Sequence, residues 1–153
     1  AERLRGTYKM LHLPDGLSQD SLHMLMTCEP QIKEISDLIS RTDVLLFGIG
    51  TAMRMADQRH IADEVRKQLV DNHAVGEALG QYCDMDGKLI YSTNNIGLSL
   101  PDVAKVPNVI AVAGGQEKAS AIIGVMRACQ KGILIIDEQA AEGMRQLLQI
   151  SAL

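Results

Sequence analysis

The alternation of short apolar runs with segments of helical hydrophobic spacing limits the fold of this chain more than any other feature. Three runs are nearly continuous in apolar residues: Val44–Phe47, Asn108–Ala113 and Ile133–Ile136. Such short runs are typical of strands buried on both faces of a parallel sheet. Helical segments of suitable length lie between strands, as right-handed βαβ connections require. The sequence therefore predicts an α/β fold with a Rossmann-like parallel sheet and helices on both faces.

Local spacing and turn residues predict the elements of the first third of the chain. Thr7–Leu13 alternates in part and stops at Pro14–Gly16, so a short strand closed by a turn is expected. A helix follows, with Ser18 and Ser21 offering capping hydroxyls, because a serine hydroxyl accepts hydrogen bonds from free amides at a helix start. Pro30 begins a second helix, since proline fits the first helical turn.

The middle and the end of the chain show the same kinds of signal. Apolar residues at helical spacing predict a helix over 61–69, a short helical turn over 75–79 and a last helix over 138–148. Within 82–90 an Asp-Gly pair separates two strand-like runs, which predicts a hairpin. At 153 residues the chain is long enough for one domain with its own core.

Composition excludes several classes of protein. The net charge of -4 and the pI near 5.5 do not fit a nucleic-acid-binding surface, which needs clustered lysine and arginine. No apolar run approaches the roughly 20 residues that span a bilayer, so no membrane association is expected. Cys28, Cys83 and Cys129 are widely separated, which favours neither a disulfide framework nor a zinc site. A reducing, cytoplasmic setting fits this cysteine usage best.

A pair of glycines at the end of an apolar run is the sharpest candidate for a binding site. Gly114 and Gly115 follow Asn108–Ala113 and lead directly into a helical segment. Glycine lets the backbone approach a ligand closely, and the free amides at a helix start attract phosphate. Lys118 adds a positive charge on the first turn. The alternative is that the two glycines only form a tight turn, and the pattern alone leaves both interpretations open.

A second glycine-containing loop follows the first apolar run. Gly48 and Gly50 lie where a strand is predicted to end, and ligands bind at the carboxyl ends of strands in open α/β sheets. The loop lacks the third glycine of a dinucleotide fingerprint, so no nicotinamide site is expected. Arg54 and Arg59 come next and could reach an anion bound at either loop, or could lie in solvent.

No catalytic group of residues emerges from the sequence. The carboxylates near predicted strand ends are Glu77, Asp84, Asp86 and Asp137. The four histidines are scattered, and none stands beside a nucleophile or at metal-ligand spacing. We therefore expect no metal, no cofactor and no enzymatic activity.

Several segments in a fixed order resemble the effector-binding domain of the SorC family of bacterial sugar-responsive transcription regulators. They are Leu45–Gly50, Glu77–Gly80 followed by Asp84–Gly87, and Val109–Gly115 with Lys118. The resemblance covers nearly the whole chain. The ordered set is far more specific than any one of the segments.

The resemblance implies a fold like that of sugar-phosphate isomerases and deaminases, in a domain that has lost catalysis. Such a domain senses a phosphorylated sugar, with fructose 1,6-bisphosphate as the implied inducer and related phosphosugars as weaker ligands. Ligand binding changes how subunits associate, and so how a separate helix-turn-helix domain holds DNA. A homo-oligomer is therefore expected, and DNA contact only through that other domain.

The resemblance also implies roles for particular residues. Gly114 and Gly115 would hold one phosphate together with Lys118, and Glu77 would accept hydrogen bonds from sugar hydroxyls. The position of a phosphate-binding arginine falls on Arg59 or on its neighbour Gln58, and the resemblance leaves both open.

By the same resemblance, residues 1–153 correspond to the carboxyl-terminal part of a sugar-phosphate effector-binding domain. The DNA-binding domain and the first strand and glycine-rich loop of the effector domain would precede them. A sheet without that first strand and its helix would expose apolar surface, which predicts association with another chain or segment.

Two other functions remain as alternatives from the sequence. One is a sugar-phosphate isomerase or deaminase with the same fold, which would need Glu77 or Asp137 as its general base. The other is an α/β interaction domain whose loops bind no small molecule.

Overall fold

The computed structural model describes residue 3, residues 5–13 and residues 16–149. Its helices are α1 (Gln19–Cys28), α2 (Pro30–Ile39), α3 (Ala52–Gln58), α4 (Asp63–Asp71), α5 (Ala119–Cys129) and α6 (Glu138–Leu147). Its strands are β1 (Val44–Gly48), β2 (Gly50–Thr51), β3 (Gly76–Ala78), β4 (Gln81–Cys83), β5 (Leu89–Ser92), β6 (Asn108–Ala113) and β7 (Ile133–Ile136). Two short 3-10 turns, Pro101–Lys105 and Gln116–Lys118, precede β6 and α5.

The three apolar runs form one parallel sheet in the order β1-β6-β7. Gly48 pairs with Val112, and Ala113 pairs with Ile136. The strands therefore end close together, and their carboxyl ends share one edge of the sheet. The prediction of an α/β fold with a parallel sheet flanked by helices is confirmed.

A second sheet is antiparallel and has the order β2-β3-β4-β5. Its strands come after β1 and before β6 along the chain. Its β4 and β5 form the predicted hairpin, and Gly87 adopts a φ of +85° in the turn. The Asp84 carboxylate accepts hydrogen bonds from the backbone amides of Asp86 and Lys88, so both aspartates belong to the turn.

The main core packs one face of the parallel sheet against α5 and α6. Phe47 and Ala111 contribute from the sheet, Ile122 and Val125 from α5, and Ala140 from α6. Both α5 residues are fully buried, and each such side chain stabilises the fold by about 1.5–3 kcal/mol through removal from water. The core thus fixes α5 and α6 behind the carboxyl edge of the sheet.

The opposite face of the parallel sheet is exposed, which corrects the expectation that these strands are buried on both faces. Leu46 is 66% exposed and Ile133 is 64% exposed. We call this surface the open sheet face; its exposed apolar residues are Val44, Leu46, Val112, Ile133 and Ile135. Parallel sheets are almost always covered on both faces, so this surface fits the apolar exposure that the resemblance implied.

Two local predictions are wrong. Thr7–Leu13 forms no strand, and Tyr8 is 72% exposed, because no described strand runs beside it to complete a ladder. Two residues of the predicted turn, 14 and 15, lie outside the described residues. The predicted helical turn over 75–79 is instead strand β3, which pairs with both β2 and β4. Short apolar spacing cannot separate a helical turn from a strand, and here the two neighbouring strands decide.

The predicted helix starts are confirmed. The Ser18 hydroxyl accepts from the amide of Ser21 at the start of α1, and Pro30 is the first residue of α2. Predicted helices in 61–69 and 138–148 correspond to α4 and α6.

Candidate functional site

Both glycine-containing loops lie at the carboxyl edge of the parallel sheet. The loop Gly48–Gly50 follows β1, and the turn Gly114–Gly115 follows the neighbouring strand β6. Strand β7 ends beside them at Ile136. This edge is where open α/β sheets bind ligands, because no helix crosses it and helix starts point toward it.

A cleft of about 440 Å³ opens at this edge. Such a volume lies in the range of small-molecule sites. Its polar and charged walls are formed by side chains from α3, β3 and the turn before α5. The residues that line it are Phe47, Gly48, Ile49, Gly50, Arg54, Met55, Gln58, Arg59, Glu77, Leu79, Val112 and Lys118.

Lys118 brings a positive charge to the cleft from the 3-10 turn before α5. Its ammonium donates a hydrogen bond to the backbone carbonyl of Ile49 at 3.1 Å. This bond ties the end of β6 to the loop after β1 across the carboxyl edge. An ammonium has three donors, so two remain for an anion in the cleft.

Glu77 and Arg59 form the opposite wall. Glu77 lies on β3 directly beside Gly50 of β2, and it is only 3% exposed. Its carboxylate accepts a hydrogen bond from the Gly80 amide at 2.7 Å and lies 3.3 Å from the Arg59 guanidinium. Arg59 ends α3 and is partly buried. The carboxylate thus orients the arginine and is itself fixed by the turn after β3.

The glycine turn has a different environment from the one predicted. The Gly115 amide donates to both carboxylate oxygens of Asp137, at 3.1 and 2.9 Å. Asp137 also caps α6, since its carboxylate accepts from the Ala140 amide at 2.8 Å. These two amides hold the pKa of the Asp137 carboxyl below its ordinary value. The Asp137 carboxylate therefore accepts the hydrogen bond from the Gly115 amide that the sequence analysis assigned to phosphate.

The structure brings most of the predicted site residues together. Six line one cleft: Gly48, Gly50, Gln58, Arg59, Glu77 and Lys118. Gly114 and Gly115 lie on the same edge but are not among the cleft-lining residues. Their binding roles, like those of the other six, stay predictions.

Sequence reasoning named Asp137 only as a possible base and missed its contact with the turn. The available signal was its position directly after a strand and before a helix, where aspartate is a preferred cap. Arg54 also lines the cleft, which the sequence left open between an anion contact and solvent.

Two of the three cysteines, Cys83 and Cys129, are buried. Burial raises the pKa of the Cys83 thiol to about 12 and that of Cys129 to about 11, so both stay protonated near neutral pH. No group of three or more histidine, cysteine or carboxylate side chains among the described residues could hold a metal ion. In the same part of the chain, no helix is long and apolar enough to cross a membrane.

Comparison with known proteins identifies the family. The model of the family described as "Putative sugar-binding domain" matches residues 1–146. The chain is 38% identical over 142 residues to the central glycolytic genes regulator of Bacillus subtilis, a match that covers 93% of this chain and 42% of that protein. It is 27% identical over 149 residues to the deoxyribonucleoside regulator of the same organism, covering 94% of this chain and 48% of that protein. The chain thus spans less than half the length of these curated relatives.

Solved structures agree. The chain superimposes with a TM-score of 0.76 and 37% identity on a SorC family transcriptional regulator from Enterococcus faecalis, over 84% of this chain and 52% of that one. With the full-length sorbitol operon regulator SorC from Klebsiella pneumoniae the TM-score is 0.67 at 24% identity, over 84% and 42% of the two chains, which supports the fold alone. By name, these relatives are transcription regulators, as the resemblance implied. The chain belongs to the family of sugar-binding domains of SorC-type transcription regulators.

Proposed function

We propose that this chain is the carboxyl-terminal part of an effector-binding domain that senses a phosphorylated sugar, fructose 1,6-bisphosphate or a related compound. The observation that carries the proposal is the convergence of Lys118, Arg54 and Arg59 with Glu77 on one cleft. Lysine and arginine are the side chains that bind phosphate, and a carboxylate accepts hydrogen bonds from sugar hydroxyls. The cleft therefore has the polar groups that a phosphosugar needs.

The proposed roles follow the position of each group. Lys118 binds one phosphate at the carboxyl end of β6. The side chains at the end of α3, Gln58 and Arg59, contact a second anionic or polar group of the ligand. Glu77 binds hydroxyls between them. Gly48 leaves room for the ligand, because a Cβ there would meet only the Val112 carbonyl oxygen, at 3.9 Å.

Regulation of DNA binding is the wider part of the proposal. The named relatives are transcription regulators more than twice as long as their match with this chain. We propose that a separate helix-turn-helix domain contacts DNA in the cytoplasm, and that ligand binding alters the association of subunits in a homo-oligomer. The acidic charge of the chain itself is consistent with DNA contact elsewhere.

Calorimetric titration of the complete protein tests the ligand. We expect saturable heat with fructose 1,6-bisphosphate, weaker binding of fructose 6-phosphate and no binding of fructose. Thermal shift with the same compounds provides a second readout. If no phosphosugar gives either saturable heat or a thermal shift, the proposal is wrong.

Two further assays test the class of function. Fluorescence anisotropy of the complete protein, with labelled DNA from upstream of its own gene, should show DNA affinity that changes on addition of the phosphosugar. Turnover of ribose 5-phosphate or glucosamine 6-phosphate should be absent. Turnover that is lost in Glu77→Gln would favour the isomerase or deaminase alternative instead.

A further inference from the structure

The residue that caps the start of α6 contacts the Gly114–Gly115 turn. The Gly115 amide donates to both oxygens of the Asp137 carboxylate, and the same carboxylate accepts from the Ala140 amide. A single side chain thus connects the start of α6 to the turn that leads to Lys118. Hydrogen bonds to a charged group are stronger than neutral ones, so this is the strongest kind of side-chain contact that the Gly115 amide could receive.

The two glycines are explained by this contact without a ligand. A Cβ on Gly114 would lie 2.6 Å from the Asp137 Oδ2 atom, so any larger residue displaces the carboxylate. Gly115 has a φ of +97°, a backbone conformation that other residues rarely adopt. The turn therefore requires glycine at both positions to receive the aspartate.

The contact is transmitted to Lys118 through the backbone. The Gly115 carbonyl accepts a hydrogen bond from the Lys118 amide at 3.2 Å, and the Lys118 ammonium donates to the Ile49 carbonyl at 3.1 Å. Helix α6 also packs closely on the turn at Gly143, where a Cβ would lie 3.1 Å from the Gln116 carbonyl oxygen. Two contacts from α6 thus fix the turn whose far end places the lysine in the cleft.

We propose that Asp137 is a positioning residue for ligand binding: its carboxylate occupies the Gly115 amide and thereby sets the direction in which Lys118 enters the cleft. The inference rests on the proposed function of the cleft. It has a specific consequence for the ligand. The phosphate is bound by Lys118 and by the other cleft side chains, and the Gly115 amide stays bonded to Asp137 when the ligand is present.

Asp137→Asn separates the two contacts of the carboxylate. Asparagine caps a helix as well as aspartate does, so its carbonyl oxygen still accepts from Ala140. Its NH2 group takes the place of Oδ2 and faces the Gly115 N–H, which is also a donor. The turn therefore loses the 2.9 Å bond and the negative charge and keeps at most the longer 3.1 Å contact to the remaining oxygen, while α6 keeps its cap. We expect the affinity of the complete protein for fructose 1,6-bisphosphate to fall about tenfold, as for loss of one charged hydrogen bond. Asp137→Ser, a good cap too short to reach Gly115, should behave in the same way.

A double-mutant cycle tests whether Asp137 acts through the lysine. Asp137→Asn should weaken binding little further when Lys118→Ala is already present, because its effect is to place that side chain. Ser18→Ala is the matched control, since it removes the cap of α1 and should leave the affinity unchanged. Additive losses, an unchanged affinity or a tighter affinity in Asp137→Asn would each overturn the inference.

The Gly115 amide resonance gives a readout that needs no ligand. In 15N-labelled protein the chemical shift of the Gly115 amide should change in acid as the Asp137 carboxylate becomes protonated, and this change should be absent in Asp137→Asn. On addition of fructose 1,6-bisphosphate the Gly115 resonance should shift less than the resonances of Gly48 and Gly50. If the native chain binds no phosphosugar, the proposed function fails, whereas an acid-insensitive Gly115 amide refutes the positioning contact itself.

Discussion

The Glu77 carboxylate and the Arg59 guanidinium lie 3.3 Å apart in the wall of the candidate cleft, with the carboxylate almost fully buried. The two residues are 18 positions apart in the chain. Strand pairing between β2 and β3 brings Glu77 beside the loop after β1, and α3 returns Arg59 to the same place. A buried carboxylate is tolerated only when it is paired and hydrogen-bonded, which is the case here.

We expect Glu77→Gln to destabilise the chain and weaken ligand binding together. Loss of the charge weakens the bonds to Arg59 and to the Gly80 amide, which should lower the free energy of unfolding by about 1–3 kcal/mol. Urea denaturation measures this change. Glu64→Gln, at an exposed position of α4, should have little effect. Equal effects of the two variants would show that the buried pair does not stabilise the fold.

Replacement of Lys118 should separate binding from stability. Lys118→Met keeps most of the side-chain length but removes the charge, so the affinity for fructose 1,6-bisphosphate should fall at least about tenfold. The melting temperature should change much less, because only one hydrogen bond to Ile49 is lost. Lys67→Met, on the exposed side of α4, is the control. A fall in melting temperature that accounts for the whole loss of affinity would indicate a purely structural lysine.

A methyl group at Gly114 should disturb the turn. Its Cβ would lie 2.6 Å from the Asp137 carboxylate, which three hydrogen bonds hold in place. We expect Gly114→Ala to lower the free energy of unfolding by at most about 1 kcal/mol, because the Cβ displaces an exposed side chain and the loss is that of its hydrogen bonds. Gly97→Ala is the comparison, since its nearest neighbour would be an ordinary 3.5 Å away. Thermal unfolding of both variants measures the change in stability. A Gly114→Ala variant as stable as the native chain would contradict the contact between the turn and the Asp137 carboxylate.

Stability in acid should depend on Asp102. Hydrogen bonds from Lys105 and Ser99 lower the pKa of Asp102 from 3.8 to about 2. A carboxyl whose pKa is lower in the folded state stabilises it above the unfolded pKa, and this stabilisation is lost as the pH falls from about 4 to about 2. Solvent screens this partly exposed group, so Asp102→Asn should cost at most about 1 kcal/mol at pH 7. Urea denaturation from pH 2 to 7 should show a smaller acid-dependent loss in the variant; an unchanged profile would be contrary to the assigned hydrogen bonds.

The open sheet face should bind apolar surface. We expect the chain to bind a hydrophobic dye and to self-associate, because several large apolar side chains on this face are more than half exposed. Leu46→Lys and Ile133→Lys should reduce both effects without loss of melting temperature. Met24→Lys, on an exposed residue of α1, serves as the control. Dye fluorescence and sedimentation measure the outcome, and a native chain that is monomeric and dye-free would contradict the expectation.

Much of the fold could be predicted because local patterns and tertiary packing agree. The strands Asn108–Ala113 and Ile133–Ile136 and the capped start of α1 follow from apolar spacing and a helix cap. The wrong predictions fall on segments whose structure depends on pairing with other strands. Strand β3 has only three residues, and its ladder partners lie on β2 and β4. Spacing over so few residues carries no information about which partners are near.

The candidate site shows the same division. The glycine turn, Lys118 and Glu77 were predicted as site residues from residue type, from position near predicted strand ends and from the family resemblance, and Glu77 and Lys118 do line one cleft. That Asp137 occupies the Gly115 amide depends on α6 being folded back beside the end of β6. Nothing in the sequence of residues 114–118 predicts contact with a carboxylate 22 positions further along the chain.

The class of fold, most of its elements and the resemblance to the family could be predicted from the amino-acid sequence, since these depend on periodicity, turn residues and ordered motifs. Tertiary structure alone decided which charges meet in the cleft, which face of the parallel sheet is exposed and what the two glycines contact. The physical reason is that hydrogen bonds and burial act over a few ångströms in space. Residues such as Asp137 and Gly115 become neighbours only after the strands and helices have packed.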